Sequence, residues 1–119
     1  MITIYHNPRC SKSRAACSLL EPAYQTNGEP IRVIEYLKQP PSVEQLGDLH
    51  RMLGGPVRDM VRTDESEYRR LDLGRAEVTD ADIYHAIRQH PILLQRPIVV
   101  RDGRAVIGRP PENVAALFA

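Results

Sequence analysis

One cysteine sits in unusual company. In His6-Asn7-Pro8-Arg9-Cys10-Ser11-Lys12-Ser13-Arg14, the sulfur of Cys10 has four cationic or potentially cationic neighbours, His6, Arg9, Lys12 and Arg14, and almost no hydrophobic ones. A thiol attacks only as the thiolate, and nearby positive charge favours that form. The same charge draws an anion towards the sulfur. These residue types therefore point to nucleophilic attack on a small oxyanion. The opposing reading is an inert buried thiol, the common state of free cysteine, and the polarity of the stretch argues against it.

Cys17 differs. Seven residues on along the same predicted helix, its Cα would lie ~10 Å from that of Cys10. A disulfide spans no more than ~7 Å. Lying among Ala16 and Leu20, Cys17 reads as a core thiol. Ser13 occupies the position three after Cys10, so no Cys-x-x-Cys pair exists, and Ala16 stands where a Cys-x5-Arg phosphatase loop requires arginine. A lone reactive thiol needs a resolving thiol from outside the chain, which glutathione with glutaredoxin would supply. His85 and His90 are five apart on a predicted helix, the wrong spacing for a shared metal ion, so no metal site is expected.

The elements that must position Cys10 follow from periodicity. Ile2 to Tyr5 alternates as a strand, and His6-Asn7-Pro8 breaks it. Ser11 to Asn27 carries Ala15, Leu19 and Leu20, with Ala16 and Ala23 alongside, at helical spacing, and Gly28 is placed to end that helix. Cys10 thus falls at or near the helix N-cap, where unpaired N–H groups converge and the helix dipole is positive. One feature would both activate the sulfur and hold an anion before it.

Ile31 to Tyr36 predicts a second strand. Ser42 with Gln45 forms a capping box for a helix through Leu46, Leu49 and Leu53, which Gly54-Gly55 ends. Val57 to Val61 and Asp64 to Leu71 read as short helices, and Thr79 with Asp82 caps another through Ile83, Ile87 and about His90. Pro91 and Pro97 bracket a linker. Ile98-Val99-Val100, the turn Asp102-Gly103 and Arg104 to Ile107 form a hairpin, and Glu112 to Phe118 a closing helix. A β-α-β unit followed by β-β-α is the thioredoxin arrangement. The expected class is α/β with a thioredoxin-like mixed sheet, residues 1–119 forming one domain with a helical insertion at about 42–90.

Composition agrees with a small globular chain. It has 119 residues, 42% of them hydrophobic and 26% charged, and a formal net charge of +1, which supplies no general field for nucleic acid or a membrane surface. Lys12 and Lys38 are the sole lysines, so 14 of the 16 basic residues are arginine. A coding bias could produce that excess, yet arginine is also the side chain that grips oxyanions in bidentate fashion. No run of ~20 apolar residues suggests a membrane span. Two cysteines without a secretory signal imply a reducing cytoplasm.

Three strings carry a resemblance. Ile4-Tyr5-His6-Asn7-Pro8 with Cys10 and Ser13-Arg14, then His90-Pro91-Ile92-Leu93 with Arg96-Pro97-Ile98-Val99-Val100, then Gly108-Arg109-Pro110-Pro111-Glu112 resemble the glutaredoxin-coupled arsenate reductases, the ArsC family. The likeness runs from residue 2 to about 118 and favours the family's shorter members. It implies a thioredoxin-like fold with a helical insertion. It makes Cys10 the nucleophile, His6 the histidine that helps lower its pKa, and Arg62, Arg96 and Arg109 the anion-binding arginines. Arg58, one helical turn before Arg62, competes for the first of those places. Pro97 matches the family's cis-proline, an isomer adopted by only ~5% of X–Pro bonds.

The implied reaction reduces arsenate to arsenite through a thiol–arsenate adduct on Cys10, with glutathione as co-substrate, glutaredoxin as partner and no tightly bound cofactor. Two other readings stay open. The Spx-type regulators share this fold, bind RNA polymerase and sense oxidation through a thiol pair, but Ser13 replaces the second cysteine here and all three arginines are present. A glutathione-dependent reductase of another oxyanion, or of protein mixed disulfides, is the third.

Overall fold

The centre of the sheet is β1 (Ile2–His6), whose Ile2 and Ile4 are fully buried. The computed structural model describes residues 1–118, with the side chains of 22–27 excepted; Ala23, expected on the helix stripe, lies outside the described side chains. After β1 the chain forms α1 (Ser11–Asn27) and returns as β2 (Ile31–Glu35), parallel to β1 with His6 opposite Glu35. β3 (Ile98–Arg101) runs antiparallel on the other side of β1, Tyr5 facing Ile98, and β4 (Arg104–Ile107) pairs with β3, Ile98 facing Ile107. The order β2-β1-β3-β4 is the thioredoxin-like mixed sheet that the sequence predicts.

This register has a consequence for function. The ends of β1, β2 and β4 and the start of β3 all fall at one edge of the sheet. Loops leaving that edge carry Cys10, Tyr36, Arg96 and Arg109.

Packing divides the chain into two units, Met1–Gln39 together with the residues from Arg96 onward, and Pro40–Gln95. In the first, α1 buries Ser13, Ala16 and Leu20 on one stripe, while Leu19 is 45% exposed and Ala15 is exposed as well. The helix therefore presents the 13-16-20 line to the sheet, not the Ala15–Leu19 side. Ala16 and Leu20 join Ile2, Ile4, Val99, Val114 and Leu117 in one core. Val114 and Leu117 come from Pro111–Phe118, which is 3-10 rather than α-helical. Apolar residues three apart suit a helix with three residues per turn, which stacks them on one edge. The hairpin turns through Asp102 and Gly103, both at positive φ, as a tight two-residue connection requires. Gly28, also at positive φ, follows α1 as expected.

The second unit holds α2 (Val43–Leu53), α3 (Ser66–Arg70) and α4 (Asp80–Gln89), with 3-10 turns at Val57–Met60 and Pro91–Leu93. Both predicted capping boxes form, Ser42 with Gln45 and Thr79 with Asp82. α2 packs against α4, burying Leu46, Leu49, Ile83 and Ile87, and Val61 bridges to Leu94. No helix among the described residues is long and apolar enough to cross a membrane.

Candidate active site

The loop after β1 is built to present a sulfur. Asn7, nearly fully buried, folds it: its Oδ1 accepts the Arg9 N–H at 3.0 Å and its carbonyl accepts the Cys10 N–H at 3.0 Å. This is an Asx-type turn, which an asparagine side chain makes by standing in for backbone. Arg14 Nη1 adds a bond to the Pro8 carbonyl at 2.9 Å. The Cys10 carbonyl then accepts the Arg14 N–H at 3.0 Å, the first hydrogen bond of α1, so Cys10 occupies the N-cap.

At the N-cap the sulfur meets donors. Burial alone would push its pKa up, but the backbone N–H of Ser13, the Arg96 guanidinium and the backbone N–H of Lys12 outweigh it, and the Cys10 thiol ends below its ordinary value. Cys17 moves the other way: burial raises its pKa, and the nearby Glu21 carboxylate adds to the rise. Cys17 is half-buried and packs against the core, as the sequence predicts.

His6 reaches the site through Ser13. The Ser13 hydroxyl, fully buried, accepts the Asn7 N–H at 3.0 Å and lies 3.1 Å from His6 Nδ1. A hydroxyl that accepts from Asn7 can still donate to or accept from Nδ1, so Ser13 ties the neutral imidazole to the Asn7 backbone in either tautomer. Cys17 Sγ also lies 3.5 Å from Nδ1. Burial lowers the His6 pKa, Glu35 opposing and Arg14 reinforcing the effect, which favours this neutral ring. The groups acting on the Cys10 sulfur are thus Ser13, Lys12 and Arg96, while His6 braces the serine whose N–H is one of them.

Arg96 precedes β3, and both Arg96–Pro97 and Arg109–Pro110 are cis peptides. The guanidinium lies against Cys10 and Tyr36, with Nε and Nη1 buried, and those two partners outweigh burial to raise its pKa. Arg109 Nη1 donates to the Arg96 carbonyl at 3.1 Å, linking the second arginine to the backbone of the first. Gly108 makes this approach possible: its N–H bonds the Pro97 carbonyl at 2.9 Å, and a Cβ there would sit 2.8 Å from Pro97 Cγ.

Arg62 belongs to the second unit. Its side chain is 12% exposed; Nε pairs with Glu65 at 3.1 Å, Nη1 with Gln95 Oε1 at 3.2 Å and Nη2 with Asp64 at 3.5 Å. Arg58, its competitor, is engaged in structure: Nη1 donates to the Tyr68 hydroxyl and the Leu73 carbonyl, and Nη2 to the Arg75 carbonyl. In the first unit the structure thus gathers Cys10, His6, Arg96 and Arg109 at one sheet edge. It adds Asn7, Ser13 and Tyr36, which the sequence did not single out. Asn7 and Ser13 lie inside the polar stretch around Cys10 and could have been found as turn formers. Tyr36 gave no local signal. A cavity of about 180 Å³ opens beside the loop, between His6–Arg9 on one side and Glu35, Leu37 and Lys38 on the other.

Chemically, the arrangement offers a sulfur whose thiolate form is favoured by backbone and guanidinium donors, and those same donors suit an anion placed before it.

Comparison with known proteins gives the same direction. Residues 5–117 match the ArsC family. The arsenate reductase of Neisseria meningitidis serogroup A is 44% identical over 118 residues, covering 98% of this chain and 97% of its own. That of Haemophilus influenzae is 41% identical, with 98% of each chain covered. Among solved structures, the arsenate reductase from Vibrio cholerae superposes with a TM-score of 0.90 at 45% identity, over 98% of this chain and 96% of that one. Likeness of this degree, end to end in both sequence and fold, makes the chain a member of the ArsC family.

Proposed function

We propose that this protein is an arsenate reductase that uses glutathione and glutaredoxin. The Cys10 thiolate attacks arsenic, an arsenate oxygen leaves as water, and a Cys10 sulfur–arsenic(V) bond forms. Glutathione then acts at arsenic as the second thiol. Two thiols together supply the two electrons that take arsenic(V) to arsenic(III), ending as a disulfide that glutaredoxin reduces, and arsenite departs. Arg96 and Arg109 stabilise negative charge on the oxyanion and on the adduct. Arg62 is the third arginine of this reading, with Glu65 and Gln95 fixing its guanidinium. His6 acts on Cys10 through Ser13. A reducing cytoplasm is the compartment this reading calls for, because it keeps a lone thiol and a thiol co-substrate reduced.

The observation that carries this reading is the place of the Cys10 sulfur at the N-cap of α1 with the Arg96 guanidinium against it, an arrangement that lowers the thiol's pKa. The names of the relatives supply the oxyanion. The test is arsenate reduction with glutathione and glutaredoxin, comparing wild type with Cys10→Ser. Arsenite production that disappears in the variant supports the proposal. A wild-type protein that makes no arsenite under these conditions refutes it.

A further inference from the structure

Tyr36 is the first residue beyond β2, and the sheet register sets it at the same edge as Cys10 and Arg96. Its side chain is fully enclosed, and its hydroxyl, although the Arg96 and Asn7 side chains come close enough to act on it, closes no hydrogen bond of good geometry among the described residues. Native proteins seldom keep such a group, because a buried donor gives up its hydration and receives nothing in exchange. Around the hydroxyl stand the Arg96 guanidinium, the Asn7 side chain and the Cys10 sulfur. A guanidinium only donates; the Asn7 oxygen, which receives the Arg9 N–H, and the sulfur, met by Ser13 and Lys12, keep lone pairs but close no hydrogen bond with the phenol. Burial pushes the Tyr36 phenol up from its ordinary value, so near neutral pH the proton stays on and the group is a donor. An oxyanion seated on Cys10 would bring the acceptor this proton lacks, to a place where a lowered thiol and a cation already favour an anion.

We propose that the Tyr36 hydroxyl is a further substrate-contacting group, donating a hydrogen bond to one oxygen of a tetrahedral oxyanion docked on Cys10. The inference rests on the anion-binding reading of Cys10 above. Backbone N–H groups and Arg96 meet the ligand's charge, while a neutral phenol adds a directed bond. Its role is recognition: it favours a ligand that turns an unprotonated oxygen towards β2.

Tyr36→Phe removes the hydroxyl and keeps the ring. Alkylation of Cys10 by iodoacetamide, with inorganic arsenate as protecting ligand, reads the contact directly. The expected result is that wild type is protected and that Tyr36→Phe needs about tenfold more arsenate for half-protection, the loss of one hydrogen bond to a charged acceptor. The pH dependence of alkylation without arsenate should stay in place, and the melting temperature should not fall, since a partnerless hydroxyl has been removed. Equal half-protection in the two proteins would overturn the proposal. So would a fall in melting temperature with protection intact, which makes the hydroxyl structural. A shift of the arsenate-free profile to higher pH would also overturn it, by showing that Tyr36 acts on the thiol through Arg96. Failure of arsenate to protect wild type would instead remove the anion site itself, a different failure.

Discussion

The first residue before α1 and the seventh residue of that helix are both cysteine, and the fold drives the two sulfurs apart. Cys10, at the N-cap, faces N–H groups that have no helical partner and a guanidinium from the far side of the sequence, and its thiol is lowered. Cys17 lies where backbone donors are already engaged with carbonyls four residues back, packed on the core with Glu21 nearby, and its thiol is raised. Residue type and helix are the same for both. What differs is whether the backbone still has donors to offer, and whether the closest charge is Arg96 or Glu21. Reactivity here is a property of position.

The strongest way to break that comparison is to remove each sulfur's role in turn. Cys10→Ser should cut arsenate turnover by at least about 10³-fold, because a hydroxyl cannot replace the thiolate as nucleophile or redox partner. Its melting temperature should stay close to wild type, as the sulfur fills no core position. Appreciable turnover in the variant would mean that the nucleophile lies elsewhere. Next comes the charge that separates the two thiols. Arg96→Ala should lower kcat/KM by about 100-fold, the loss of a charge-assisted contact in a water-poor site. It should also move the alkylation profile of Cys10 to higher pH. A loss of tenfold or less, with the profile unmoved, would assign Arg96 to packing. Arg109→Ala should have the smaller effect of the two, since Arg109 also braces the Arg96 carbonyl.

A pH titration sharpens the contrast without mutation. Iodoacetamide applied below the ordinary thiol range of ~8.5 should label Cys10 first, with Cys17 following only above it. Peptide mass mapping reads the order directly, and equal labelling of both sulfurs would end the comparison. The same shifts act on stability with opposite sign. Cys10, lowered in the folded state, contributes stability that is present above its unfolded pKa and lost as pH falls through the folded one. Cys17, raised, costs nothing below its unfolded pKa but destabilises the fold as pH rises towards the folded value.

The contrast between the two sulfurs was itself legible in the sequence. Alternation in Ile2–Tyr5, the break at His6-Asn7-Pro8 and the helical run after Ser11 place Cys10 at a helix start from local pattern alone. Two capping boxes and the Asp102-Gly103 turn were equally local and equally readable. Less legible was anything set by distant register. Tyr36 looked like the end of a strand, and its enclosure beside Arg96 depends on β1 pairing with β2 on one side and β3 on the other. Arg109 meets Arg96 because β4 returns along β3, a fact of sheet order. Apolarity alone gives only part of the buried face of α1: Ala16 and Leu20 are buried, but Ala15 and Leu19 point outward, and the buried line includes a serine that hydrophobicity cannot flag. Arg58 and Arg62 are inseparable by spacing, and in the structure both guanidinium groups are engaged, Arg58 by Tyr68 and backbone carbonyls and Arg62 by Glu65, Gln95 and Asp64.

The smallest expected effect is at Cys17. Cys17→Ser should keep arsenate turnover within about twofold, because a raised thiol among core residues has no part in attacking the oxyanion. Stability should fall by about 0.5–1.5 kcal/mol, as a polar hydroxyl replaces a sulfur packed on apolar neighbours. The new hydroxyl can still meet His6 Nδ1, which now lies 3.5 Å from Sγ, so the cost stays at the low end. His6 makes this variant informative. Its Nδ1 is shared between Ser13 and Cys17, and Ser13 supplies an N–H to the Cys10 sulfur. If serine at 17 drew His6 away from Ser13, the Cys10 alkylation profile would move although residue 17 never touches substrate. A stationary profile with retained turnover keeps the two sulfurs independent. Loss of most activity would show that the second thiol works with the first, and that their opposite environments form one device.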